Sequence, residues 1–204
     1  MPVINSNHSV KQTGFTLIEM IVGIVIFGIA LSLVTTLIFP QARRSVDPIM
    51  QVRATELAGT LLREISAKAF DENSRGSIRC NDDLNADGDF NDAGEIACTA
   101  ASDLGPEPGE SRTASQSNFD DVDDYNGLVQ GAGQADPIIR NSLGEVLVVD
   151  GQTLYAGFSV SVSVVYDGNM DGVADINQTA KLITVNVNTP GGETLQFARY
   201  RSNY

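Results

Sequence analysis

The sequence lacks the residues that most catalytic mechanisms require. Its one histidine, His8, lies ahead of a long apolar run, which excludes a Ser/His or Cys/His pair from everything that follows. P-loop, GxGxxG and HExxH motifs are absent, and paired carboxylates are too frequent here to indicate a glycosidase. The sequence therefore predicts a protein that is not an enzyme and has no catalytic residues.

Basic residues are scarce: 13 Lys and Arg accompany 26 Asp and Glu, for a formal net charge of -13. Nearly the whole excess lies in residues 71–125, where fifteen acidic residues accompany three arginines. This argues against nucleic acid as a partner, because phosphate binding needs a surface of the opposite sign. A cation is the ligand that this composition favours.

Cysteine is limited to Cys80 and Cys98, which do not form a CxxC or zinc-type spacing. An even pair in a loop-rich acidic segment predicts a disulfide. It would close a loop of about nineteen residues and stabilise the fold by roughly 3 kcal/mol, provided that the compartment is oxidising. The alternative is two free thiols buried as small apolar groups.

What the sequence does contain is a 25-residue run, residues 15–39, with one ionisable group, Glu19. As a helix the run would extend roughly 37 Å, enough to cross a bilayer. It is too long for an ordinary secretory signal and no small-x-small cleavage site follows it, so we expect it to stay. A carboxylate at this place in lipid is costly when unpaired, so Glu19 needs a cation.

If the chain is cut after Gly14, the new amino terminus at Phe15 supplies that cation. The terminus of a neighbouring copy lies better for Glu19 than its own, which predicts packing against similar helices. Residues 11–19, KQTGFTLIE, resemble the class III leader junction of type IV pilins and type II secretion pseudopilins. The resemblance implies cleavage between Gly14 and Phe15 by the prepilin peptidase, N-methylation of Phe15, and docking of subunits through Glu19.

The resemblance also implies a location. The amino terminus would lie in the cytoplasm, the run would span the inner membrane once, and the head would lie in the periplasm, or in the pilus after assembly. Charge alone does not fix this orientation, because Lys11 precedes the run and Arg43 and Arg44 follow it. The alternative is a plain single-pass anchor in which Glu19 reaches the headgroups.

Further stretches resemble the minor pilins of the mannose-sensitive haemagglutinin (MSHA) type IV pilus. They are residues 36–41, 44–48, 69–73, 119–125 and 189–201, whereas residues 76–117 match least. This implies a low-abundance subunit that acts with other pilins and minor pilins in priming or capping a pilus. The alternatives are a minor pseudopilin of a type II secretion system and a calcium-dependent adhesive module on a static membrane anchor.

The predicted fold is α+β and pilin-like, with a long N-terminal helix packed on an antiparallel sheet. Its parts are a leader (1–14), a transmembrane helix (15–39), an amphipathic continuation (40–70) and a head (71–204) that comprises an acidic loop region (71–143) and the sheet (144–204). Pro40 and Pro48 predict a kink or short break, with Asp47 capping the restart. The continuation has apolar residues at three- and four-residue spacing and is predicted to pack on the sheet.

Alternating or apolar runs predict the strands. The runs are 145–149, 155–164 and 182–188, and residues 189–192 supply a turn into Leu195, Phe197 and Tyr200. The last two strands are predicted to form a hairpin.

Two segments share the pattern D-x-N-x-D-G, whose alternate oxygens can converge on a hard cation, as in the first half of an EF-hand loop. The candidate calcium ligands are Asp83, Asn85, Asp87, Asp89 and Glu95 in the first, and Asp167, Asn169, Asp171 and Asp175 in the second. Neither has a Glu at the twelfth position, which is Gly94 in the first and Gln178 in the second. The alternative is that these residues simply form turns.

A third acidic stretch, residues 119–125, has four carboxylates in five residues. Such groups repel one another unless they are solvated or bound to a cation. A solvated face or a local helix cap is the predicted structure.

Overall fold

The computed structural model describes residues 14–44, 47–74, 78–90, 92, 94–113 and 117–204. The predicted leader, apart from Gly14, and residues 45–46 lie outside the described residues. The chain divides into two compact units, Met1–Val46 and Asp47–Tyr204.

The described residues of the first unit form one helix, α1 (Leu17–Arg44). The side-chain oxygen of Thr16 accepts a hydrogen bond from the Glu19 amide (3.4 Å), which caps the start of the helix. Its segment Leu17–Thr35 is exposed, and by length and composition it could cross a membrane. The predicted interruption at Pro40 does not end the helix, because a proline removes one amide donor while the neighbouring hydrogen bonds can continue.

The second unit begins with α2 (Asp47–Ser66), so the helical restart at Asp47 was predicted correctly. Pro48 lies in the first turn, where its missing donor costs nothing. The helix ends four residues before the predicted boundary at residue 70, and Ala69 instead forms an isolated parallel bridge with Asp121. Of the residues predicted to face the sheet, Ala54, Leu57, Ala58, Leu61 and Ile65 are buried, whereas Met50 and Ala69 are only half-buried.

The remaining elements follow in chain order. Among the described residues they are a 3-10 helix, η1 (Asp123–Tyr125), and six strands, β1 (Val129–Gly131), β2 (Val148–Val149), β3 (Gln152–Thr153), β4 (Ser159–Tyr166), β5 (Ala180–Asn188) and β6 (Thr194–Ser202). The main sheet is antiparallel with the order β1-β4-β5-β6, while β2 and β3 pair separately. The α+β layout is therefore the predicted one.

One face of the main sheet forms the core with α2. Val162 of β4 lies opposite Val185 of β5, and Val185 lies opposite Phe197 of β6. The inward residues of β4 and β5 are Val160, Val162, Val164, Ile183, Val185 and Val187, all buried. The alternation in the sequence placed this face correctly, and the predicted β5–β6 hairpin is present.

The strand prediction was wrong in several places. β1 comes from the region predicted as an irregular loop, and β3 was not predicted. The predicted strand at 145–149 is reduced to β2 outside the main sheet, and the strand predicted from residue 155 begins only at Ser159, as β4. β1 is only three residues long and depends on Gly131, whose φ is 105°. A Cβ there would lie 2.3 Å from the Phe158 carbonyl oxygen, so this strand requires a glycine where its backbone comes close to that of Phe158. The pattern of apolar residues does not reveal such a contact.

Candidate functional site

The N-terminal motif lies at the exposed start of α1. Phe15 is 87% exposed, and Glu19 follows in the first turn. Within the described residues, Glu19 forms no ion pair. The cation that Glu19 was predicted to need is therefore not among the described residues.

The first D-x-N-x-D-G segment folds into a tight loop. The Asp83 carboxylate accepts hydrogen bonds from the amides of Asp87 (3.2 Å) and Gly88 (2.9 Å), while Ala86 and Gly88 have φ angles of 61° and 83°. Carboxylate oxygens of Asp83, Asp87 and Glu95 all lie within 4.8 Å of one another. Three of the predicted ligands are therefore brought together.

Glu95 completes this loop from a buried position. It is 7% exposed, and its Oε1 accepts a hydrogen bond from the Leu84 amide (2.7 Å). Its Oε2 is buried and has no hydrogen-bond partner among the described residues. Of the other two predicted ligands, Asn85 lies beside this group and its side-chain amide donates to Asp87 (3.1 Å), while Asp89 is exposed.

The second D-x-N-x-D-G segment has the same backbone hydrogen bonds. The Asp167 carboxylate accepts from the amides of Asp171 (3.2 Å) and Gly172 (2.8 Å), as Asp83 does in the first loop. Asp167 also accepts a hydrogen bond from the Tyr200 hydroxyl (2.6 Å). Desolvation opposes the charged form of Asp167, but the hydrogen bonds from Tyr200 and the amides outweigh it and hold its pKa below the usual value.

Asp175, the ninth residue of this segment, is turned toward the backbone. Its Oδ1 accepts from the amides of Gly168 (3.2 Å) and Asn177 (2.8 Å). In the described part of the chain, the acids of this loop do not form a group like that of Asp83, Asp87 and Glu95. The same sequence pattern therefore makes two similar turns with different potential for binding a cation.

The third acidic stretch is not a solvated face, and that part of the prediction was wrong. Asp121, Asp123 and Asp124 are buried. The predicted local cap is present, because Asp121 Oδ1 accepts hydrogen bonds from the amides of Asp123 (2.8 Å) and Asp124 (3.2 Å), the first two residues of η1. The stretch is folded inward because its three residues without a carboxylate, Phe119, Val122 and Tyr125, belong to the hydrophobic core.

A buried lysine lies against this stretch. The Lys181 ammonium donates to the Phe70 carbonyl (2.6 Å) and to Asp71 Oδ2 (3.2 Å), and it contacts Asp123 Oδ1. It also lies 4.6 Å from the centre of the Phe70 ring. Sequence reasoning missed this residue, although position 181 continues the inward alternation of Ile183 in β5, which was a usable signal.

Two glutamates from the acidic loop region, Glu107 and Glu110, lie beside these buried aspartates. Carboxylate oxygens of Glu107, Glu110 and Asp124 converge within 4.8 Å, and so do those of Glu107, Asp121 and Asp123. Desolvation, with the nearby Asp123 charge, raises the pKa of Asp121 to about 9. Desolvation and the contact with Glu110 raise the pKa of Glu107 to about 8. We call Glu107, Glu110, Asp121, Asp123 and Asp124 the carboxylate cluster.

Cys80 and Cys98, predicted to pair, form a disulfide in the second unit with a Cα–Cα distance of 4.7 Å. The bond is buried near Phe70 and Tyr166. The side-chain amide of Asn203 donates to the Cys80 carbonyl (2.8 Å), which fixes the disulfide to the chain beyond β6. The loop that carries Asp83, Asp87 and Glu95 is thus closed at its base.

Comparison with known proteins identifies the N-terminal segment. Residues 10–35 match the family model described as the prokaryotic N-terminal methylation motif. No curated protein and no solved structure matches the chain. The motif is the signal of type IV pilins and pseudopilins and supports a pilin-like, structural subunit that is processed by a prepilin peptidase, anchored in a membrane and assembled with other pilins.

Proposed function

We propose that this chain is a minor pilin of an MSHA-like type IV pilus, which takes part in priming or capping pilus assembly after its leader is cleaved. The observation that carries the proposal is the N-terminal methylation motif at the start of an exposed, apolar α1. The stretches that resemble the MSHA minor pilin MshD, spread along residues 36–201, favour this pilus over others.

The mechanism is assembly rather than turnover. Prepilin peptidase removes residues 1–14 and exposes the Phe15 amine, which is then methylated. Glu19 pairs with the amino terminus of an adjacent subunit, and this pairing removes the cost of an isolated carboxylate in lipid. Packing among exposed apolar helices then replaces lipid contact as the subunit leaves the inner membrane.

A Glu19→Val variant tests the pairing. We expect leader cleavage to proceed as in the wild type, while the amount of the subunit in sheared pili falls at least tenfold. Glu56→Val, a matched change at an exposed residue of α2, should be incorporated normally. Normal incorporation of Glu19→Val would contradict the proposed role of this carboxylate.

A minor pseudopilin of a type II secretion system would share the same leader and helix. The two roles differ in their companions, so capture of the full-length protein from membranes discriminates between them. Recovery of MSHA minor pilins favours the proposal, whereas recovery of secretion pseudopilins contradicts the assignment to a pilus. Neighbouring genes give the same discrimination.

The first loop favours a second property, calcium binding by the head, which would also suit an adhesive role. It rests on the convergence of Asp83, Asp87 and Glu95 and on the unpartnered Glu95 Oε2. Oxygen ligands of this kind suit calcium.

Equilibrium dialysis tests the site. We expect Asp87→Asn to remove one calcium ion per chain, and Asp171→Asn, the equivalent change in the second loop, to remove none. An unchanged number of bound calcium ions for Asp87→Asn would contradict the site.

A further inference from the structure

We propose that the carboxylate cluster holds a second calcium ion, with Glu107, Asp121, Asp123 and Asp124 as its protein ligands. This site is separate from the loop of residues 83–95. It does not depend on the assignment to a pilus, so the two proposals can fail independently.

The first step in the argument is convergence. The cluster is built from two chain segments, one containing Glu107 and Glu110 and the other containing η1. Glu107 belongs to both groups of oxygens that lie within 4.8 Å of one another. Ligands at 2.3–2.6 Å from one calcium ion can be separated by this much, since oxygens on opposite sides lie about twice that distance apart.

The second step concerns the oxygens that have no partner. Asp121 and Asp124 each use one oxygen to accept backbone amides, and Asp123 uses one oxygen to contact Lys181. The other oxygens are buried without a hydrogen-bond partner in the described structure: Asp121 Oδ2, Asp123 Oδ2, Asp124 Oδ1 and Glu107 Oε2. The three aspartates are at least 99% buried. Buried polar atoms are normally satisfied, so four unpartnered oxygens in one cluster point to a ligand that binds them.

The third step is charge. Lys181 is shared between Asp71 and Asp123, and the described ion pairs include none for Glu107, Asp121 or Asp124. Burying carboxylates side by side is unfavourable unless protons or a cation neutralise them. A divalent cation would neutralise them, and it would also bind the four unpartnered oxygens.

The fourth step is the identity of the ion. All the donors are carboxylate oxygens, which favour calcium or magnesium over zinc and copper. The cysteines of the chain are joined in a disulfide and its one histidine, His8, precedes α1. Calcium accepts six to eight oxygens in irregular geometry, whereas magnesium demands a near-ideal octahedron and keeps several waters. An irregular group of carboxylates from two chain segments fits calcium better.

The test uses the full-length protein in detergent, stripped with a chelator and then titrated with calcium chloride. The Asp87→Asn background removes the first loop from the measurement. We expect one calcium ion per chain to remain bound in this background. Adding Glu107→Gln should lower the affinity at least tenfold, because Glu107 is the ligand common to both oxygen groups. Asp103→Asn, which changes an exposed acid four residues before Glu107 in the sequence, should leave the affinity unchanged.

Glu107 lies in a loop and is partly exposed, so Glu107→Gln disturbs the core less than a change at Asp121. The near-ultraviolet circular dichroism of the tyrosines shows whether the variant is folded. The titration of Asp87→Asn decides the proposal even if that variant fails. Absence of calcium binding up to millimolar concentration in Asp87→Asn, or an unchanged affinity in folded Glu107→Gln, would overturn the site.

Discussion

The ammonium of Lys181 lies 3.2 Å from Oδ2 of Asp71, and both side chains are completely buried. Asp71 follows α2 and Lys181 belongs to β5, so the pair joins the end of the helix region to the sheet. Asp71 also accepts hydrogen bonds from the Thr99 amide (3.1 Å) and the Tyr166 hydroxyl (3.2 Å). One ion pair thus connects the helix, the sheet and the segment beside the disulfide.

Lys181→Met should destabilise the second unit by about 3–5 kcal/mol, because it leaves buried carboxylates without their cation. Urea unfolding of the full-length protein in detergent, followed by tyrosine fluorescence, measures the loss. All five tyrosines lie beyond residue 124, so the signal reports on the Asp47–Tyr204 unit alone.

Lys68→Met is the matched control for Lys181→Met. Lys68 is partly buried and donates to the Phe119 carbonyl (2.5 Å), but the described ion pairs do not include it. We expect this change to cost about 1 kcal/mol, as for one hydrogen bond. Equal losses for the two variants would contradict the importance of the buried ion pair.

Gly131→Ala should destabilise the unit by roughly 3 kcal/mol, through a positive φ and a clash with the backbone at Phe158. Gly133→Ala is the control, since its φ is also positive (78°) but an added Cβ meets no atom within 4 Å. We expect it to cost about 1 kcal/mol. The difference in unfolding midpoint isolates the close approach of β1 to β4; similar midpoints would argue against that packing.

Replacing both Cys80 and Cys98 by alanine should lower the free energy of unfolding by about 3 kcal/mol, because the unfolded chain gains the freedom of the opened loop. The wild-type protein under reducing conditions should approach the same value once the buried bond has been reduced. A double variant with wild-type stability would show that the disulfide contributes nothing to folding.

Much of the fold could be predicted because one period dominates each element. The alternation of Val160, Val162 and Val164 fixed the inward face of β4, and the three- and four-residue spacing fixed that of α2. The N-terminal segment was recognisable because its signal is local: Gly14, Phe15 and Glu19 stand at fixed places before an apolar run. Local patterns of this kind do not depend on the rest of the fold.

The rest depends on tertiary contacts that a local pattern does not contain. The two D-x-N-x-D-G loops read alike and form the same turn, yet their surroundings differ. Glu95, which the sequence did offer as a ligand, brings an unpartnered oxygen to the first loop. In the second loop Tyr200 of β6 donates to Asp167, a contact that no local pattern contains. The burial of Asp121 and Asp123 was missed for the same reason, since Lys181 lies about sixty residues away in the sequence.

The central claim is that the chain is processed as a pilin, and the mass of its amino terminus tests this most directly. Mass spectrometry of the native protein, purified from membranes or pili, should find a chain that begins at N-methylated Phe15. A protein that functions normally in pilus assembly while retaining Met1 would contradict the claim, because the amine that Glu19 needs would then not exist.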